Sequence, residues 1–224
     1  MSKEEIIILD CLLSPFCCRV KIALNEKGLG YESREEDLFG WKCGKSELLL
    51  KSNPVYKKVP VLLHNGKPLN ESSIIVHYID ETWPSPSPLL PSSPYERAQA
   101  RFWIDYIDKK VFETGSKIWR SNGDEQEGAK KEFLEIVKQL EEALGDKDFF
   151  GGERLGIVDV IAIPLTSWFY AYEKVGNFKV EEHSPKLSAW QKRCLLKESV
   201  GSAISCPTKV YEFVTSMRKN LGLE

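Results

Sequence analysis

The chain has 224 residues, 42% of them hydrophobic and 29% charged, a composition of ordinary globular proteins rather than disordered or fibrous ones. Its formal net charge is −2 and it carries no basic stripe, so a nucleic-acid partner is not expected. No apolar run approaches the roughly 20 residues that span a bilayer, and the acidic start is unlike a secretory signal. We therefore expect a cytoplasmic protein without a membrane partner.

Residues 1–83 predict a small α+β domain of order β-α-β-α-β-β-α. Ile6–Asp10 is a short, β-branched apolar run that predicts a buried strand. Ser14 and Pro15 mark the start of a helix over 16–27, because proline suits a first turn, where its nitrogen needs no partner. The further elements are predicted at 31–36 (a parallel strand), 47–51 (helix), 59–63 and 67–70 (strands joined by an Asn-Gly turn) and 72–83 (helix).

Residues 84–94 contain five prolines and predict a linker, because such a density disfavours both helix and sheet interiors. Residues 95–224 predict an all-helical domain. Its helices are expected at 95–122, 125–144, 158–175, 185–194 and 210–221. Pro164 lies inside the third of them and should kink it.

Ser14 has two interpretations. A serine at this position most often caps the helix. The same hydroxyl, beside free amides and the positive end of a helix dipole, could also hydrogen-bond a bound thiolate and lower the pKa of that thiol. In the second case the ligand sulfur, not the serine, is the nucleophile.

Val59-Pro60 precedes a predicted strand. The proline is either an ordinary edge-strand residue or part of a cis turn that leaves the Val59 backbone N–H and C=O facing outward. In the cis arrangement an extended peptide ligand could pair with Val59 as an extra strand.

Charged and hydroxyl residues nearby could hold the two ends of such a peptide. Glu71 and Ser72 open a predicted helix, where capping alone explains them. Together they could also bind an α-amino acid terminus, with Ser72 holding the carboxylate and Glu71 the ammonium. Lys45 and Lys58 are ordinary surface lysines or ligands of a second carboxylate. The combination describes a site for a small thiol peptide, and glutathione fits it.

The helical domain carries aromatic residues at helical spacing. Phe112 and Trp119 share one helix face, Phe213 and Met217 share another, and Trp168 lies on a third helix. Core packing is the default interpretation. If these side chains converge, they form an apolar pocket for hydrophobic ligands.

The six cysteines and three histidines predict no metal site, because no two cysteines have C-x-x-C spacing. In a reducing compartment the cysteines are expected to be free thiols.

The sequence resembles the tau class of plant glutathione transferases along essentially its whole length. The resemblance lies in five long stretches: SPFCCRVKIALNEKG (14–28), NPVYKKVPVLLHNGKPLNESSIIVHYIDE (53–81), LLPSSPYERAQARFWIDYIDKKVFETGSKIW (89–119), FFGGERLGIVD (149–159) and AWQKRCLLKESV (189–200). It implies a thioredoxin-like N-terminal domain and an all-α C-terminal domain. It also implies a homodimer that conjugates glutathione to hydrophobic electrophiles in detoxification and stress response, often with some hydroperoxide reduction.

The resemblance also assigns roles to residues. Ser14 is implied as the catalytic serine and Val59-Pro60 as a cis-proline turn. The glutathione site is implied at Lys45, Lys58, Val59, Glu71 and Ser72. The hydrophobic-substrate site is implied at Phe16, Phe112, Trp119, Trp168, Phe213 and Met217.

Three positions depart from the family pattern. Leu12 and Leu13 stand where an aromatic residue and a proline usually precede the serine. The loop over 39–44 looks longer than the common form. Gly156 stands where many transferases have the hydroxyl residue of a capping box with Asp159.

Two other functions are compatible with parts of this pattern. Thiol–disulfide exchange needs a nucleophilic cysteine at the helix start, where this chain has Ser14, with Cys17 one turn inward. A non-catalytic carrier of apolar ligands would use the aromatic pocket equally well.

Overall fold

The computed structural model describes residues 4–38, 40, 44–84 and 88–223. The chain forms two compact units, Met1–Pro88 and Leu89–Glu224. The first unit contains β1 (Ile6–Asp10), α1 (Pro15–Glu26), β2 (Glu32–Glu35), α2 (Glu47–Ser52), β3 (Val61–His64), β4 (Lys67–Asn70) and α3 (Ser72–Thr82). The predicted element order and the α+β class of this unit are confirmed.

The four strands form one mixed sheet in the order β2-β1-β3-β4. β2 is parallel to β1, as predicted, and the other two pairs are antiparallel. Asn65 and Gly66 both have positive φ angles, 51° and 74°, as a type I′ hairpin turn requires. Because side chains alternate along a strand, Ile7 and Leu9 share the sheet face that packs with Leu49 of α2.

The strand register brings three chain segments to one end of the sheet. Leu9 of β1 pairs with Val61 of β3, and Val61 pairs with Asn70 of β4. The chain leading from β1 into α1, the chain entering β3 and the chain leaving β4 therefore all lie at this end. Ser14 follows β1, Pro60 precedes β3 and Glu71 follows β4.

The second unit is helical. Its α-helices are α4 (Pro94–Arg120), α5 (Gly123–Leu144), α6 (Ile157–Ala162), α7 (Phe169–Gly176), α8 (Val180–His183), α9 (Pro185–Leu195), α10 (Glu198–Gly201) and α11 (Pro207–Asn220). Within the described residues, no helix has both the length and the apolar character needed to cross a membrane.

The prediction of one kinked helix over 158–175 was wrong. A 3-10 segment, Ile163–Trp168, separates α6 from α7. Pro164 has no N–H for an α-helical hydrogen bond. Hydroxyl groups bond to the tight turn instead: Thr166 Oγ1 donates to the Ile163 carbonyl at 2.8 Å and Ser167 Oγ to the Pro164 carbonyl at 2.7 Å.

Asp159 holds the start of α6 in place. Its carboxylate is fully buried. It accepts hydrogen bonds from the N–H groups of Phe150, Gly151 and Gly156 at 2.8, 2.9 and 2.8 Å, and from the indole of Trp190 at 2.7 Å. Burial raises the pKa of Asp159, and these four donors act against that rise. A capping box normally has two side-chain hydrogen bonds, one from each end. Gly156 has no side chain, so here only the bond from the Gly156 N–H to the Asp159 carboxylate forms.

Replacement of Asp159 should destabilise the helical unit. Asp159→Ala leaves four buried N–H groups without an acceptor, and we expect the free energy of unfolding to fall by about 3–5 kcal/mol. Urea denaturation followed by circular dichroism measures the change. Asp146→Ala is the matched control, because the side chain of Asp146 is 94% exposed in its ion pair with Lys186. Equal stability of the two variants would contradict this role for Asp159.

Candidate functional site

A cleft of about 320 Å³ lies in the first unit, at the end of the sheet described above. It is lined by Phe16, Asn53, Tyr56, Lys58, Val59, Pro60, Glu71 and Ser72. The structure thus brings together five residues that the sequence places in a site: Phe16, Lys58, Val59, Glu71 and Ser72. Ser14 and Lys45 are not among the lining residues.

The Val59-Pro60 peptide bond in the cleft is cis. Val59 is half-buried and lies outside the sheet ladder, which begins at Val61. In the described part of the chain, no residue forms a hydrogen bond with the Val59 backbone. Its N–H and C=O therefore offer an extended peptide the pairing that a strand neighbour would otherwise provide.

Asn53 builds the loop that carries Lys58 into the cleft. Its Nδ2 donates to the Lys58 carbonyl at 3.0 Å, and its Oδ1 accepts from the Tyr56 N–H at 3.1 Å. Asn53 is 3% exposed, so these bonds are held away from water. The sequence analysis missed this residue. Its one local signal was an Asn-Pro pair typical of turns.

Glu71 and Ser72 line the cleft at the start of α3. Glu71 precedes α3 with φ of +68°, a conformation that side chains rarely adopt, and it makes no side-chain cap bond. Such a strained residue is often kept where its side chain has a role. Ser72 is the first residue of α3 and is 7% exposed. The first-turn N–H groups have no acceptor within the helix, and their positive end favours an anion.

Ser14 is the N-cap of α1. It is half-buried, and its Oγ accepts a hydrogen bond from the Cys17 N–H at 3.3 Å. The capping interpretation is thus confirmed, but this bond uses only a lone pair. The hydroxyl hydrogen remains able to donate to a further acceptor.

Among the residues that the structure describes, no reactive thiol lies at this helix start. Cys17 is fully buried. Burial, together with the negative charge of Asp10, raises its pKa well above the ordinary value for a thiol. Burial likewise raises the pKa of Cys11. Because exchange chemistry needs a thiolate, the geometry does not favour the thiol–disulfide alternative.

Lys45 is exposed and lies just before α2. The next residue, Ser46, caps α2, and the buried carboxylate of Glu36 accepts from its hydroxyl at 2.6 Å and from its N–H at 3.0 Å. The unusual loop noted at 39–44 falls mostly outside the described residues.

The second unit contains a cluster of aromatic rings around Trp168. The ring centroid of Trp168 lies 5.3 Å from that of Phe112, 6.0 Å from that of Phe213 and 6.5 Å from that of Trp119. Trp168 and Trp119 are buried, whereas Phe112 and Phe213 are half-buried. Met217 is also half-buried, one turn after Phe213. Four of the predicted aromatic residues therefore converge, and two of them keep accessible apolar surface.

Gly115 permits the close packing behind this cluster. A Cβ atom at this position would lie 2.3 Å from Cε2 of Tyr172, which is far inside van der Waals contact. The Tyr172 ring in turn contacts Trp168, with the centroids 6.4 Å apart. A larger residue at 115 would displace Tyr172 and, through it, Trp168.

In the described part of the chain, no group of three or more His, Cys, Asp or Glu side chains could hold a metal ion.

Comparisons with known proteins agree with this architecture. Two family models match the chain: glutathione S-transferase, N-terminal domain, at residues 9–87, and glutathione S-transferase, C-terminal domain, at residues 105–198. Glutathione S-transferase U19 of Arabidopsis thaliana is 54% identical, with 96% of this chain and 97% of that protein covered. Glutathione S-transferase 3 of Glycine max is 52% identical, with 97% and 98% covered.

Two solved structures have the same fold. Rice GST1 in complex with glutathione matches with a TM-score of 0.92 and 47% identity, covering 98% of this chain and 99% of that one. A tau-class glutathione S-transferase from mango, Mangifera indica, matches with a TM-score of 0.89 and 38% identity, covering 95% and 98%. On these full-length similarities, the chain belongs to the tau class of the glutathione S-transferase family.

Proposed function

We propose that this transferase conjugates glutathione to hydrophobic electrophiles, with the sulfur of glutathione as the nucleophile and Ser14 as its hydrogen-bond donor. One observation carries the proposal. A single cleft combines a cationic side chain (Lys58), an anionic side chain (Glu71), a helix start (Ser72) and an unpaired backbone segment (Val59). These groups match a zwitterionic peptide with a second carboxylate.

Each part of glutathione has a partner in this arrangement. The peptide backbone pairs with the N–H and C=O of Val59. The γ-glutamyl ammonium pairs with Glu71, and its α-carboxylate binds Ser72 and the amides at the start of α3. Lys58 binds the glycyl carboxylate, with Lys45 as the other candidate for that contact.

Ser14 acts on the thiol. A hydroxyl that donates to the sulfur stabilises the thiolate more than the thiol, as does the positive end of α1, and both lower the pKa of bound glutathione. The thiolate then attacks an electrophilic carbon and forms a thioether as the leaving group departs.

The aromatic cluster of the helical unit is the proposed binding surface for the electrophile. Phe112 and Phe213 supply accessible apolar surface, Trp119 and Trp168 supply the packing beneath it, and Met217 completes the set on this unit. Phe16, in the cleft of the first unit, keeps the substrate role that the resemblance implies. We extend the proposal to a cytoplasmic homodimer in detoxification and stress response with some hydroperoxide reduction, as the resemblance to tau-class enzymes implies.

The Ser14 hydroxyl should affect catalysis more than binding. We expect Ser14→Ala to lower kcat for glutathione and chlorodinitrobenzene about 100-fold, because one donor to a developing anion is lost. The Kd for glutathione should change much less, because the carboxylate contacts remain. Ultraviolet absorbance of the bound thiolate, titrated with pH, should show a higher thiol pKa in the variant.

Ser46→Ala is the matched control, since Ser46 also caps a helix of the first unit and accepts from the Leu49 N–H at 3.0 Å. It should lose cap stability and keep its kcat. An unshifted thiol pKa in both wild type and Ser14→Ala contradicts the mechanism. A folded wild-type protein that binds glutathione and conjugates nothing would favour the carrier function.

Glu71 should lower the stability of the fold and strengthen the binding of glutathione. Both Glu71→Gly and Glu71→Ala remove the partner of the γ-glutamyl ammonium, and we expect both to weaken glutathione binding. Only glycine relieves the positive φ, so Glu71→Gly should be more stable than Glu71→Ala by about 1 kcal/mol. Thermal unfolding and calorimetric titration measure the two effects. A Glu71→Ala variant that binds glutathione like wild type would exclude the ammonium contact.

Phe213 should affect the electrophile alone. We expect Phe213→Ala to raise the KM for chlorodinitrobenzene about tenfold, because apolar contact is lost, and to leave the KM for glutathione unchanged. Tyr211→Ala is the control on the same helix, because Tyr211 packs against Tyr170, with the ring centroids 5.7 Å apart, and not against the cluster. Steady-state kinetics with each substrate varied in turn measure both KM values. A raised KM for glutathione with an unchanged KM for chlorodinitrobenzene would contradict the prediction.

A further inference from the structure

Tyr56 lines the cleft together with Lys58, in the loop between α2 and β3. Its side chain is 58% exposed and so is not part of the core. In the part of the chain that the structure describes, the Tyr56 hydroxyl has no hydrogen-bond partner, and the recorded bond of this residue is made by its backbone N–H. The ring and its hydroxyl are therefore both available to a ligand bound in the cleft.

One buried side chain fixes the backbone of both residues. Asn53 Oδ1 accepts from the Tyr56 N–H at 3.1 Å, and Asn53 Nδ2 donates to the Lys58 carbonyl at 3.0 Å. Between them Lys57 has a φ of +53°, which is uncommon for a residue with a side chain, and its N–H donates to the Asn53 carbonyl at 2.8 Å. A single hydrogen-bonded turn thus presents Tyr56 and Lys58 to the same part of the cleft.

Lys58 alone is a weak basis for selecting a carboxylate. It is exposed, and an ion pair at an exposed site strengthens binding by no more than about fivefold, because water screens the charges and a long side chain loses freedom. An ammonium group also acts as a point charge and defines no direction of approach. A second donor on a stiffer side chain would add both affinity and direction.

The Tyr56 side chain has these properties. Its hydroxyl can donate one hydrogen bond, and such a bond is stronger to an ionised acceptor than to a neutral one. The side chain rotates about only two bonds, so that binding costs it little conformational freedom. A carboxylate has two oxygens and can accept from this hydroxyl and from the Lys58 ammonium at the same time.

We infer that Tyr56 is a specificity-determining residue of the glutathione site: its hydroxyl donates to the glycyl carboxylate that Lys58 attracts. The γ-glutamyl end is left to Glu71 and Ser72, which follow β4 and do not belong to this loop. The inference rests on the proposed function. It gives Tyr56 the recognition of the C-terminal residue of the peptide and no part in activation of the sulfur.

The test compares glutathione with an analogue whose glycyl carboxylate is a carboxamide. Calorimetric titration should show that the wild type prefers glutathione about twentyfold, from one ion pair and one hydrogen bond to a charged group. In Tyr56→Phe the preference should fall to about fourfold, because only the ion pair remains. The kcat at saturating glutathione should stay close to that of the wild type.

The same loop supplies a matched control. Val55 precedes Tyr56, is 78% exposed and is not among the residues that line the cleft. Val55→Ala should therefore keep the full preference. Lys58→Met should lower the preference as Tyr56→Phe does, and the double variant should bind the two ligands about equally, since both donors act on one carboxylate.

The possible results separate this inference from the proposed function. A Tyr56→Phe variant that prefers glutathione as strongly as the wild type would overturn the inference, and so would an equal loss of affinity for both ligands. A wild type that binds both ligands equally well would also overturn it, with the proposed function intact. A wild type that binds neither ligand would instead refute the proposed function.

Discussion

The site depends on the N–H groups in the first turn of each helix, which have no acceptor within that helix. At α2 and α6 side chains of the protein satisfy them, through Ser46 and Asp159. At α1 the Ser14 cap is longer and keeps a hydrogen to donate. At α3 no side chain caps the helix, and Glu71, which precedes it, has a φ of +68°. Of the two helix starts at this end of the sheet, α1 thus keeps a donor hydroxyl and α3 keeps N–H groups without a side-chain cap.

The sheet places these helix starts together. Because β1 and β3 are antiparallel, the end of one strand lies beside the beginning of the other, and β4 ends at the same edge. A register shift by one residue would exchange the faces of the strand residues and move Glu71 away from Pro60. The hydrophobic alternation that selects the register, with Ile7 and Leu9 on the α2 side, therefore also determines the composition of the cleft.

Much of this could be predicted from the sequence, because local chemistry carries it. The Ser14-Pro15 helix start and the Asn65-Gly66 turn are signals of two residues each. The four-residue helices α8 and α10 were not predicted, since so short a stretch shows no periodicity. The 3-10 segment at Pro164 also contains the hydroxyl groups of Thr166 and Ser167, two and three residues later, which a rule for proline kinks does not consider.

The residues of the site likewise differ in whether a local sequence pattern indicates them. Glu71 and Ser72 are adjacent and so could be interpreted together. The contacts of Arg19 with Ser72 and of Asn53 with Lys58 could not be predicted, because no local pattern indicates them. For Arg19 the partner is 53 positions away. An arginine within an amphipathic helix is usually a surface residue, and only the packing of α1 on α3 shows that this one is buried.

Gly115 has a practical meaning for redesign of the proposed acceptor site. A Cβ atom at 115 would lie 2.3 Å from Cε2 of Tyr172, so any side chain added there would displace the Tyr172 ring, which packs against Trp168. Libraries that aim to enlarge the range of accepted molecules should therefore hold 115 and 172 constant. Substitutions should instead be made at the half-buried positions 112, 213 and 217, where side chains can change volume without displacing Tyr172.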